Sequence, residues 1–393
     1  MPNLTAREVG RRIATIRRTR RMTQDALARA AFLSLSMVKA IERGARAPSD
    51  DTLDAIAAAL SVDPGHIVTG HTRTDSRVHT ALPAISAAIA AYDIPADTPP
   101  QSLAALDAAV TALTQRRLGA QYARIAERAP GLLTDSLAAL HQATGADRLR
   151  AAQFLAAIAR SADAVAYKFG AHDLSARLID LMRWAAAQTE DRIAQATAAY
   201  VRTETFFAGG AHAQGLTALE QAIDASPSPL GRAATAARGA LHMRAAVIAG
   251  RTGDVAAADL HLRDARRLGA SLPEAAYDGT QFGPDSVCAH EVSVAVSLGQ
   301  DHLQRAFDVA ADWEPPEGMP AERQSGFWIE LARAQVWAGR PDDAFESLKV
   351  ARSIAPQHTR EHPWAREAAA TIRRLKRADA ESLTAFTEWI GAV

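Results

Sequence analysis

Apolar residues recur at helical spacing almost from the start of the chain. Val9, Ile13 and Ile16 mark one face of a first helix. The stretch from Met22 to Pro48, MTQDALARAAFLSLSMVKAIERGARAP, then predicts two short helices joined by a tight turn. Thr23 caps the first, because its hydroxyl can accept from the free N–H groups of the opening turn. Gln24 and Asp25 occupy that turn, and Leu27 and Ala28 face inward. Residues 30–33 form the connection, and Ser34 caps a second helix that runs to about Glu42 and stops at Gly44. Leu53, Ile56 and Leu60 continue the periodicity, with Leu27, Val38 and Ile41 in the middle of the same core. Four or five helices in roughly sixty residues suffice for a small independent domain, placed at 1–63.

Periodicity lapses over residues 64–80, PGHIVTGHTRTDSRVHT, which read as a linker. Beyond Ala81 the pattern is helical almost throughout. Leu82 to Tyr92 predicts one helix, and Leu103, Leu106, Val110 and Leu113 mark the next. Tyr122 to Ala129 predicts another, broken by Pro130 before Leu132, Leu133, Leu137 and Leu140 begin a further one. Residues 81–145 are therefore a helical connector and a candidate dimerisation region. A repeat follows over 146–393, in which a long helix ends in Gly, a short turn follows, and an Ala-rich helix begins. Its turn glycines, Gly170, Gly210, Gly253, Gly299 and Gly339, are spaced by 40, 43, 46 and 40 residues. Such a period built from helix pairs predicts a solenoid. Residues 364–391 read as terminal capping helices, and no strand alternation is expected. The expected fold is all-α: a small helix-turn-helix domain followed by a helical-repeat solenoid.

Charge sharpens this division. The 393-residue chain is neutral overall. Residues 1–50, however, hold eleven basic side chains and four acidic ones, an excess of seven balanced by the other 343. A basic head on an acidic body is what phosphate binding at one end predicts. There is no apolar run of membrane-spanning length and no secretory signal pattern. Cys288 is the only cysteine, which excludes an internal disulfide and any multi-cysteine zinc site. A cytoplasmic protein without a membrane segment or cofactor is expected.

Residues 6–63 resemble the lambda-repressor-like, or XRE-type, helix-turn-helix family. The resemblance rests on Thr23-Gln24 with Leu27-Ala28, Ser34, Val38, Ile41-Glu42-Arg43-Gly44, Pro48 and Ile56 through Leu60. High Ala, an excess of Arg over Lys, and Asn3 as the only asparagine resemble the product of a GC-rich genome. The last repeat, with its Ala-Gly-Arg-Pro-Asp-Asp-Ala-Phe turn, looks most like a tetratricopeptide repeat. Taken whole, with Tyr167-Lys168-Phe169-Gly170, Phe282-Gly283-Pro284 and His290 through Gly299, the chain resembles actinobacterial XRE-type regulators with a tetratricopeptide-like C-terminal domain.

That resemblance implies DNA-binding regulation. Gln24 matches the family position whose amide and backbone N–H reach a phosphate. Arg43 and Arg46 match positions beside the neighbouring backbone. The helix N-termini at Thr23 and Ser34 add their dipoles, and Arg17, Arg18, Arg20 and Arg21 add charge, some of it facing water. Sequence reading falls to Leu35, Ser36, Lys39 and Ala40, with Ser34. Lys39 can donate to guanine and Leu35 can touch a thymine methyl. For Leu35 and Met37 the competing role is core packing, and Glu42 is expected to orient an arginine. Direct readout is therefore modest, helped by DNA shape and by a dimer on a roughly palindromic operator.

No catalytic or metal constellation stands out in the body, and no enzyme is expected. Solenoids bind on the face lined by the first helix of each pair. This makes Arg160, Tyr167, Tyr200, Glu204, His242, Arg244, Phe282, His290, Trp328 and Arg333 candidates for an effector site, against the plainer alternative of solenoid packing. The effector is a small molecule or a peptide. The peptide is disfavoured because family sensors hold peptide backbones with asparagines, and this body has none. Two competitors remain: an adaptor anchored to DNA by its head, and a DNA-binding factor of low sequence preference.

Overall fold

The computed structural model describes residues 5–20, 22–60, 67, 73–94, 99–189, 191–375 and 381–392. The chain divides into two units between Arg77 and Val78.

In the first unit, α1 (Ala6–Thr19) opens on a capping box in which the Thr5 N–H donates to Glu8 Oε2 at 2.8 Å. Helices α2 (Gln24–Ala30), α3 (Leu35–Glu42) and α4 (Asp50–Ala59) follow. Thr23 and Ser34 cap α2 and α3 as their sequence predicts, accepting from Ala26 N at 3.0 Å and Met37 N at 3.2 Å. Between them the chain turns through Phe32 at φ 54°, with its ring almost fully exposed. Ile13, Leu27, Val38, Ile41, Ile56 and Leu60 are sealed from solvent, each contributing about 1.5–3 kcal/mol by burial. The approach of α1 to α3 is set by Gly10. A Cβ there would stand 2.0 Å from the Ile41 carbonyl oxygen, a contact only glycine permits.

The second unit contains helix pairs. Helix α5 (Arg73–Ala88) spans the boundary between the units, so the expected linker is helical from Arg73; residues 64–66 and 68–72 of it lie outside the described residues. Helices α6 (Leu103–Leu118) and α7 (Tyr122–Gln142) lead into the array. Pro130 does not break α7, contrary to the expected interruption. The buried stripe Ile125, Ala129, Leu133, Leu137 and Leu140 runs unbroken past it and holds the helix together despite one missing donor.

Five pairs follow: α8 (Gly145–Lys168) with α9 (His172–Ala187), α10 (Arg192–Gly209) with α11 (His212–Ala225), α12 (Arg232–Thr252) with α13 (Val255–Gly269), α14 (Pro284–Leu298) with α15 (Leu303–Asp312), and α16 (Ala321–Trp337) with α17 (Pro341–Ile354). The five predicted turn glycines sit at the five intrapair connections, all with φ between 65° and 101°. First helices α10, α12, α14 and α16 pack in succession and form an inner layer. Helices α18 (Pro356–Glu361), α19 (Pro363–Leu375) and α20 (Glu381–Ile390) close the end around Phe345 and Phe386, whose rings meet edge to face at 5.4 Å.

The fold is all-α as expected, with one short element that the absence of strand alternation did not announce. Strands β1 (Ala275–Tyr277) and β2 (Thr280–Phe282) form an antiparallel hairpin between α13 and α14. Its turn, Asp278-Gly279, has φ of 46° and 72°, the two positive values a tight hairpin requires. Phe282 is fully buried against Gly239 of α12, where a Cβ would stand 2.0 Å from the ring. The array also meets itself: Ala123 N of α7 donates to Gln357 Oε1 of α18 at 3.2 Å, across 234 positions of sequence. Among the described residues no helix is long and apolar enough to cross a membrane.

Gly10→Ala should lower the stability of the first unit by at least about 2 kcal/mol through overpacking. All six tryptophans lie beyond Val78. Urea titration should therefore show an early loss of far-UV circular dichroism, with the tryptophan-fluorescence transition unchanged.

Candidate DNA-binding face and interior cavity

Around α3, the side chains expected to meet DNA divide into two groups. Ser36, Lys39, Arg43 and Arg46 are exposed, and the Arg43 Nε–H donates to the Lys39 carbonyl at 3.2 Å, which lays its guanidinium along the helix end. Thr23 and Ser34 are exposed caps, and Ser34 Oγ lies 3.0 Å from Ser36 Oγ. Ala40 is half-buried. Leu35 and Met37 are half-buried against the core, so both contribute to packing.

Arg17 is placed otherwise than expected. Its Nε lies 2.6 Å from Glu42 Oε1 and its Nη2 2.9 Å from Glu42 Oε2, while Nη1 donates to the Met22 carbonyl at 2.7 Å. With 12% of its side chain exposed, Arg17 ties α1 to α3 instead of standing with the exposed cations. Gln24 shares this anchor, its Nε2 donating to Glu42 Oε2 at 2.7 Å. Glu42 thus orients an arginine and an amide, as its position predicts.

The second unit contains a half-open cavity of about 220 Å³. Its walls come from the first helix of all five pairs, completed by the end of α6, the hairpin and α18. Five of the expected effector residues line it: Arg160, Tyr200, Glu204, Arg244 and His290. The other five do not. His242 lies elsewhere, its Nδ1 3.1 Å from His261 Nδ1; burial pulls its pKa down to about 4. Phe282 is the hairpin's buried wedge. Arg333 stacks over Trp337 and Trp364 at 4.4 and 4.1 Å from the ring centroids. Trp328 packs edge to face on Phe327 at 5.3 Å, and Tyr167 packs on His172 at 5.6 Å.

Charge distinguishes the cavity lining. Lys168 Nζ lies 3.0 Å from Glu322 Oε1 and 3.1 Å from His358 Nε2. The ammonium must donate, so Nε2 accepts and the His358 Nδ1–H points at Ser325 Oγ, 2.6 Å away. Burial opposes ionisation of Glu322, but Lys168, with Arg117 and Arg244, outweighs it and holds the carboxylate below its usual range. Arg244 sits 4.5 Å from the Tyr200 ring centroid and 3.8 Å from Glu204. Burial alone would raise the Tyr200 phenol, yet Arg244, Arg323 and Arg160 bring it below its ordinary value. Burial pushes Asp163, which accepts from Ser175 Oγ at 2.6 Å, well above the carboxylate range. It also carries Glu330 up to about 8.

The hairpin contributes two carbonyls. Arg117 Nη2 donates to Gly279 O at 2.6 Å and Arg160 Nη1 to Asp278 O at 3.3 Å. Sequence reasoning missed Arg117, Asp163, Lys168, Glu322, Arg323, Glu330, His358 and His362. The signal for two of them was present: with the expected Arg160, Asp163 and Lys168 are the only charges between Arg150 and Asp173, on a helix otherwise rich in alanine.

Residues 13–67 match the helix-turn-helix family model. Over 60 residues the chain is 47% identical to the immunity repressor protein of Bacillus phage phi105, a match covering 15% of this chain and 42% of that repressor. Solved structures with a similar chain course include PlcR of Bacillus thuringiensis in complex with the peptide PapR7 and DNA, at 18% identity and TM-score 0.29, covering 67% of this chain and 94% of that one. The apo competence regulator ComR from Streptococcus vestibularis matches at 13% identity and TM-score 0.32, covering 94% and 99%. At these TM-scores no residue correspondence is drawn.

Glu330→Gln should reveal the buried carboxyl. Its pKa rises from 4.5 to about 8 on folding, so the unfolded chain releases the proton first and stability falls with pH across that window. Relative to wild type, the variant should gain about 1 kcal/mol per pH unit between these values and level off above them. Thermal unfolding at pH 5.5, 6.5, 7.5 and 8.5 checks this; a flat difference refutes it.

Proposed function

We propose that this protein is a sequence-specific, DNA-binding transcriptional regulator whose helical-repeat unit carries the effector site and the dimer interface. The observation that carries the reading is the match of residues 13–67 to the helix-turn-helix model, together with a capped α2–turn–α3 unit that leaves Ser36, Lys39, Arg43 and Arg46 exposed. In this reading α3 enters the major groove. Lys39 supplies direct readout, and Arg43 and Arg46 neutralise phosphates. A single such unit spans few base pairs, so two copies on half-sites about 34 Å apart complete the operator. The cavity favours an effector-responsive regulator over an adaptor: it is small and lined by charged side chains, whereas a protein partner needs an extended groove. Effector binding then shifts the population between DNA-fitting and non-fitting dimers.

Selection of a binding site from random DNA, followed by affinities at several salt concentrations, tests the assignment. The selected site should bind at least about a thousandfold more tightly than random DNA. Lys39→Ala should cost about 1–3 kcal/mol on that site and relax its preference. The double variant Arg43→Ala/Arg46→Ala should weaken every sequence and reduce the salt slope by about 2. Unchanged affinity in both variants would show that α3 is not the reading element.

A further inference from the structure

The cavity lining carries five cationic side chains and four carboxyls, Asp163, Glu204, Glu322 and Glu330. The cations are Arg117, Arg160, Lys168, Arg244 and Arg323. Lys168 has Glu322 and Arg244 has Glu204, while Asp163 accepts from Ser175 Oγ and burial raises the pKa of both Asp163 and Glu330. Among the described residues Arg117, Arg160 and Arg323 form no ion pair with a carboxylate; Arg117 and Arg160 reach only backbone carbonyls.

Two of these guanidiniums converge. A Cβ on Gly279 would lie 3.2 Å from Arg117 Nη2 and 3.5 Å from Arg160 Nη1, so both flank a single glycine, and among the described residues no carboxylate hydrogen-bonds to either. Burial first, and the neighbouring Arg117 second, pull the Arg160 pKa down to about 9. Arg117 is 9% exposed, yet its Nε–H reaches no acceptor, and neither does Arg323 Nη1. Buried N–H donors without partners are unfavourable, and buried charges more so, unless something supplies acceptors and opposite charge. Here the hairpin carbonyls fix one N–H of Arg117 and one of Arg160, leaving pre-oriented forks of the kind that pair with oxyanions.

We propose that this cavity binds a small ligand bearing at least two negative charges on oxyanion groups, either a phosphate ester or a di- or tricarboxylate. The proposal rests on the effector reading above and gives the effector its chemistry. At about 220 Å³ the cavity is smaller than the pockets of roughly 300–1,000 Å³ that enclose drug-sized ligands. It therefore suits a metabolite, and a peptide could offer it only a terminal carboxylate.

The full-length protein is tested by tryptophan-monitored thermal unfolding and calorimetry with pyrophosphate, citrate, and sodium chloride at matched ionic strength. A heptapeptide with a free C-terminus and its amide form a fourth arm. Pyrophosphate or citrate should raise the unfolding temperature saturably, the stronger of the two identifying phosphate or carboxylate chemistry. Arg160→Met should weaken that binding at least tenfold while leaving circular dichroism unchanged. Arg323→Gln, at a half-buried position, should do the same if Arg160→Met fails to fold. No saturable stabilisation beyond chloride overturns the proposal, as does equal binding by the variants or equal binding of the amidated and free peptides. DNA affinity measured with and without the anion separates the two readings. Tight anion binding that leaves DNA affinity unchanged overturns the effector role and keeps the anion site. DNA affinity that responds to the amidated peptide, with neither anion bound, does the reverse.

Discussion

Charge taken out of water must be answered by something nearby, and the centre of the repeat unit is organised by that requirement. Lys168 on α8 finds Glu322 on α16, and Arg244 on α12 finds Glu204 on α10. Each partner comes from a different helix pair, so the curvature of the array and the compensation of its charges are one condition. Aromatic faces do part of the same work, as where Arg251 lies 4.5 Å from the Phe207 centroid and 4.7 Å from that of Trp364. At Asp163 and Glu330 burial outweighs the neighbouring guanidiniums and raises the carboxyl pKa instead. The head follows the same rule on a smaller scale, with Glu42 answering Arg17 and Gln24 together.

Much of this was legible in the sequence because it is local. Caps at Thr23 and Ser34, the stop at Gly44 and the five turn glycines all depend on backbone conformations that few residue types satisfy. The inner face of the repeats was legible in outline, since Arg160, Tyr200, Glu204, Arg244 and His290 all fall on first helices. Its closure was not. Glu322, His358 and His362 reach the cavity from residues 322–362, and nothing in their spacing reveals that the chain returns to residue 168. The hairpin was missed because three-residue strands are too short for alternation to register, although Asp278-Gly279 is a strong two-residue turn signal. Arg17 was misplaced because a basic side chain reads the same whether it faces DNA or Glu42. Pro130 misled because a long buried stripe outweighs one lost hydrogen bond.

The hairpin shows how one small element serves two ends. Gly239 gives up its side chain so that Phe282 can wedge against α12, and that wedge fixes the turn carbonyls where Arg117 and Arg160 can use them. Packing at one end of three residues thereby sets electrostatics at the other.

Open helical arrays unravel from their ends, each repeat leaning only on its neighbour. In this unit α7 is fastened to α18 through Ala123 and Gln357, and α8 to α16 and α18 through Lys168. These contacts give the early helices partners late in the sequence, so α7 and α8 lean on more than their neighbours in the array. Loosening α18 would remove a wall of the cavity along with the end of the solenoid. The order of the last helices and the integrity of the cavity are therefore a single equilibrium.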